Sequence, residues 1–69
     1  MEIGIKFTKG PTPSIYRIIS TLRKITSYNM RICFRLSYLL MEEGSVQFTI
    51  DEFDQFTIDE LEKIGMDLI

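Results

Sequence analysis

The chain has 69 residues, 45% of them hydrophobic and 26% charged, with a formal net charge of −2. A chain this short holds one core and one domain, and its composition lies far from the low-hydrophobicity, high-charge regime of disordered chains. No stretch reaches the roughly 18 to 20 uninterrupted apolar residues of a membrane span, the run Ile32 to Met41 being broken by Arg35, and no basic-then-apolar segment marks a secretory signal. The expectation is a cytoplasmic protein.

Glu2 to Thr8 alternates, with Ile3, Ile5 and Phe7 on one side and Gly4, Lys6 and Thr8 on the other, the period of a strand with one buried face. Lys9-Gly10-Pro11-Thr12-Pro13 stops it, because two prolines and a glycine continue neither a ladder nor a helix. Ser14 or Thr12 is available to cap a helix after this turn. Ile15, Ile18, Ile19, Leu22 and Ile25 then recur at helical spacing, opposite Tyr16, Arg17, Ser20, Arg23 and Lys24.

Thr26-Ser27-Tyr28-Asn29 collects turn and cap residues, so a second helix should begin near Asn29 or Met30 and run to Glu42, closed by Gly44. At about 100° per residue it carries two apolar stripes. One is Ile32, Cys33, Leu36, Leu39 and Leu40; the other is Met30, Phe34, Tyr38 and Met41, beside Ser37. Arg31 and Arg35 supply its only polar strip. Either both stripes are core, or the second one meets a partner.

Ser45 to Thr49 alternates again, and Thr49-Ile50-Asp51-Glu52 has the form of a capping box opening a third helix that runs to about Ile64. Ile50, Phe53, Phe56, Leu61 and Ile64 share a face of that helix, with Ile58 off it. Phe-Thr-Ile-Asp-Glu occurs at 48 to 52 and again at 56 to 60. Five residues are too few to signal a repeat, although the second copy is also a capping box and would split the helix. Gly65 ends it, and Met66 to Ile69 forms a last strand. The predicted fold is α+β in the order βααβαβ: a three-stranded antiparallel sheet covered on one face by three helices. Ile3, Ile5, Phe7, Val46, Phe48, Met66 and Leu68 should point inward, and Lys6, Thr8, Gln47 and Asp67 outward.

That order resembles the fold shared by the adaptor ClpS and the C-terminal domain of the bacterial ribosomal stalk protein, over nearly the whole chain. Thr12-Pro13, Ile25 through Tyr28, Leu36 and Gly44 fall where ClpS has its Thr-Pro, its Phe-Phe-Ser-Tyr and its helix-ending glycine. ClpS grips the amino-terminal residue of a substrate, and the likeness places Thr12, Ser37 and Met41 at its pocket positions. Thr8-Lys9-Gly10 replaces its acidic triplet, Ser37 its methionine and Met41 its histidine. The stalk domain binds factors through an isoleucine and basic residues, and Ile19, Arg23 and Arg31 match those positions, with Ser20 in place of a lysine. Both likenesses imply a domain that docks onto another protein.

Catalytic groups are scarce. There is no histidine, and Cys33, the lone cysteine, sits between Ile32 and Phe34 as a buried small hydrophobe. No catalytic residue, cofactor or metal site is expected. The carboxylate pairs Asp51/Glu52 and Asp59/Glu60 fall in predicted first turns of helices, where acids favour the dipole, and are read as solvated.

Charge is segregated. Residues 1 to 41 carry seven cations against one acid, a net of +6; residues 42 to 69 carry one cation against nine acids, a net of −8. Either the halves complement each other internally, or a basic face is offered to an acidic partner. The sequence therefore indicates a small non-catalytic protein-binding domain of adaptor or inhibitor type, for which a phage or mobile-element origin fits. Its contact residues are Thr12, Ile19, Arg23, Arg31, Phe34, Arg35, Ser37, Tyr38 and Met41, and a homodimer through the second helix is the simplest partner. The alternative is nucleic-acid binding through Arg17, Arg23, Lys24, Arg31 and Arg35, whose contacts with phosphates would weaken steeply with salt.

Overall fold

The computed structural model describes residues 1–8 and 10–69. Lys9, expected in the turn after the first strand, lies outside the described residues. The elements are β1 (Glu2–Phe7), α1 (Ile15–Ile25), α2 (Met30–Glu43), β2 (Ser45–Thr49), α3 (Gln55–Lys63) and β3 (Met66–Leu68). Both neighbours of β1 pair with it antiparallel, in the order β2-β1-β3. The α+β class and the order βααβαβ are as the periodicities predict.

Alternation decides which sheet face is dry. Ile3 and Ile5 stand opposite Phe48 and Val46 across one ladder, and Phe7 opposite Met66 across the other. All of these pack in one core with Ile18, Ile19, Leu22 and Ile25 of α1. Lys6, Thr8, Gln47 and Asp67 are exposed, as a period of two requires. Leu68 departs from expectation. It lies opposite Ile5, on the helix side, yet remains 41% exposed because the short edge strand outruns its cover.

Caps fix the helix ends. Ser14, not Thr12, caps α1, its side chain accepting from the Arg17 N–H. Asn29 does the same for α2, accepting from the Ile32 N–H at 3.0 Å. Gly44 ends α2 at φ 81, a left-handed conformation that costs a residue with a Cβ about 1 kcal/mol or more. Its N–H reaches back to the Leu40 carbonyl at 2.9 Å.

The third helix begins later than the capping-box pattern predicts. Thr49 stays in β2 opposite Glu2, and the pairing runs on to Met1 and Ile50, whose backbones exchange bonds of 2.8 and 3.0 Å. Ile50 is driven into the core, only 1% exposed. Ladder bonds and burial thus outweigh the cap. Asp54 is the true N-cap, accepting from the Thr57 N–H at 3.1 Å and the Thr57 hydroxyl at 3.2 Å. Asp51 and Glu52 therefore lie in a loop rather than a first helical turn, and Phe56 is exposed rather than on the buried face. The second Phe-Thr-Ile-Asp-Glu copy lies wholly inside one unbroken helix. Asp54→Ala should cost about 1 to 2 kcal/mol, the usual worth of an N-cap side chain, and Thr49→Ala no more than a few tenths. Urea denaturation of the two variants compares them directly.

Two bonds tie the α1–α2 joint to β2 and the loop after it. The Ser27 hydroxyl donates to Asp51 Oδ2 at 2.7 Å, and the Thr49 N–H donates to the Tyr28 hydroxyl at 3.1 Å. The start of α2 is held in place by them. No helix among the described residues is long and apolar enough to cross a membrane.

Candidate functional site

Helix α2 packs on α1 and on β2, and the side of it turned from both is open. Its buried strip is narrow: Cys33, Ser37 and Leu40, with Leu36 partly covered. Two of these side chains are small, so the helix seats closely while using little of its circumference. Ile32 and Leu39, expected in the core stripe, are instead exposed on the flank beyond Leu36. The second stripe is open as well, with Met30 at 56%, Phe34 at 50%, Tyr38 at 51% and Met41 at 43%. Isolated exposed apolar side chains are ordinary, whereas these four follow one another along a single face of α2.

Two open clefts meet at Phe34. The larger, about 530 Å³, runs between α1 and α2 and is lined by Tyr16, Ile19, Ser20, Arg23, Lys24, Met30 and Phe34. Ile19, only 7% exposed, belongs to the core as well as to this cleft. The smaller, about 340 Å³, is lined by Arg31, Ile32, Phe34 and Arg35. Among the described residues, every charged one lining either cleft is a cation. Periodicity alone missed Tyr16, 79% exposed on the polar side of α1. Its position three residues before Ile19 and seven before Arg23 was the available signal, since those spacings share a helix face.

Ser37 must be removed from the set of contact residues. It is fully buried, and its hydroxyl donates to the Cys33 carbonyl one turn back at 2.7 Å. The helical angle that set Ser37 beside the open stripe also places it next to Cys33 and Leu40 on the buried strip, and the core takes it. Thr12 is exposed but lies before α1 and lines neither of the two clefts. The fold thus brings Ile19, Arg23, Arg31, Phe34 and Arg35 together, with Tyr38 and Met41 further along the same helix.

Farther along α2 the Tyr38 hydroxyl donates to Glu42 Oε1 at 2.9 Å. That bond, then the charge of the same carboxylate, holds the phenol above its ordinary pKa of 10.0. Tyr38 therefore presents a neutral ring with its polar end already engaged.

The cations are not equally available. Lys24 Nζ lies 3.7 Å from Glu60 Oε2, and Arg17 Nη2 donates to the Lys63 carbonyl at 3.4 Å, both reaching α3. Glu60 also faces Lys63 Nζ at 3.2 Å and is buried, which corrects its reading as a solvated acid. Burial between two lysines makes it a structural ion pair linking α3 to α1. Internal complementarity thus accounts for one side of α1, where Arg17 and Lys24 stand two turns apart and both meet α3. Arg23, Arg31 and Arg35 are exposed beside the clefts. No family model, no curated protein and no solved structure matches this chain.

Proposed function

We propose that the chain is a non-catalytic protein-binding domain, of adaptor or inhibitor type, acting in the cytoplasm through the face formed by α1 and α2. The observation that supports it is the row of half-exposed apolar side chains centred on Phe34 and bordered by arginines. Covering a few hundred Å² of apolar surface at ~25 cal/mol/Å² yields on the order of several kcal/mol before association costs. Aromatic, methionine and arginine side chains are those that interface centres favour. The likeness to ClpS and to the stalk domain supports the same class of role. Nucleic-acid binding is the weaker reading, because two of its five cations already serve α3 and phosphates make no use of an apolar cleft.

The test is affinity capture from the source cell with the wild-type chain, Phe34→Asp, the Arg23→Glu/Arg31→Glu double variant, and Gln47→Ala on the far sheet face. Circular dichroism should be the same for all four, since each altered side chain is exposed. A specific protein retained by wild type and Gln47→Ala should be lost from the other two. A partner held equally well by folded Phe34→Asp would remove this face from the account.

A further inference from the structure

The chemistry of the groove narrows what can lie in it. Among the described residues, all seven that line the larger cleft belong to α1 or α2, so both walls are helices. The backbone N–H and C=O groups of a helix interior bond to one another and are not offered sideways. A segment laid in such a groove receives no main-chain partners from its walls. It must satisfy its own backbone, because an unpaired peptide group removed from water costs free energy. An extended segment would depend on water along the open side of the groove and on its few polar liners, whereas a helix meets the requirement by itself. Sheet-edge pairing, the other common way to hold a peptide, needs a strand edge, and no strand residue lines this groove.

Charge specifies the rest. Arg23, Arg31 and Arg35 border the apolar clefts, and the one further charged liner, Lys24, leans toward Glu60. A basic or neutral helix would desolvate these arginines without compensation, whereas carboxylates would pair with them. A second copy seated with Phe34 on the two-fold axis is disfavoured on the same ground, since such an interface meets its own image and sets Arg31 and Arg35 of one copy near those of the other. A pairing centred nearer Tyr38 would instead bring Arg31 to the exposed Glu42, and sedimentation distinguishes it.

We infer that the α1–α2 groove takes an acidic amphipathic helix of a partner protein, with apolar anchors on either side of Phe34 and carboxylates on Arg23, Arg31 and Arg35. This inference rests on the protein-binding function proposed for the same face.

A yeast-displayed library of peptides about 18 residues long, roughly five helical turns, tests it. Each member carries Leu, Phe or Met at helical spacing, with the remaining positions drawn evenly from Glu, Lys, Gln, Ala and Pro. Selection on the wild-type chain should yield a pool rich in Glu, poor in Lys and free of internal Pro. Its binding should fall at least about tenfold with Phe34→Asp and with Arg31→Glu/Arg35→Glu. It should also fall between about 50 and 500 mM salt, where exposed charges are screened. A pool that is lysine-rich, proline-bearing or charge-indifferent overturns the acidic-helix inference, and so does an empty selection. If Phe34→Asp still releases the natural partner in those cases, the docking face itself stands. A pool insensitive to Phe34→Asp instead counts against the face. Sedimentation showing a wild-type dimer that Phe34→Asp dissociates assigns the groove to a second copy and overturns the inference as well.

Discussion

Leu22→Ala should destabilise the fold by about 3 kcal/mol, within the range found for leucine truncations in closed cores. Leu22 is fully buried among the sheet residues and the other apolar residues of α1. A domain of this size has roughly 3 to 10 kcal/mol of total stability at ~0.05 to 0.15 kcal/mol per residue, so the loss removes about 30% of it or more. Leu39→Ala, in a residue 39% exposed on the open flank of α2, should change stability by no more than about 0.5 kcal/mol. Both leucines belong to apolar stripes in the sequence, and only burial separates them. Urea denaturation of the pair decides the matter, and equal losses would mean that the flank of α2 is covered rather than open.

Ser37→Leu should cost about 1 to 3 kcal/mol, the usual penalty for forcing extra methylenes into a packed site. At about 4 to 8 °C per kcal/mol for a domain this small, the Tm should fall by several degrees or more. Ser37→Ala should be near neutral, because the hydroxyl bonds only to a carbonyl of its own helix. The leucine variant should also weaken partner capture without touching a surface group. Cys33 and Ser37 seat α2, and Phe34 rides on the same helix between them, so lifting the helix moves one wall of the groove. A Ser37→Leu variant with unchanged melting and unchanged capture would show that α2 does not rest on this residue.

The distinction between the two leucines, 22 and 39, reaches back to the periodicities. Alternation in 2 to 8 and 45 to 49 and the 3.6-residue spacing in 15 to 25 were enough to place two strands, one helix and their inward faces, because each segment is apolar on one side only. In such a segment the pattern and the fold ask for the same thing. Helix α2 is apolar nearly all round, so no angle in its sequence says which third of the circumference is covered. Its neighbours decided that. By placing α2 mainly against α1 and β2, the fold buried Cys33, Ser37 and Leu40 and left Ile32, Leu39 and the Phe34 stripe outside.

The start of α3 had a similar origin. Thr49 to Glu52 has the residues of a capping box, but a cap is a local interaction worth about 1 kcal/mol. Pairing of Thr49 with Glu2 and burial of Ile50 are contacts with residues nearly fifty positions away, worth more together, and invisible to any local window. Thus the amino-acid sequence by itself determined the class of fold, the order of its elements and the basic character of the first two helices. Which apolar residues remained open to a partner, which cations were left to border them, and which acid capped the last helix were decided only when distant segments met, because burial is a property of the assembled surface and not of any one segment.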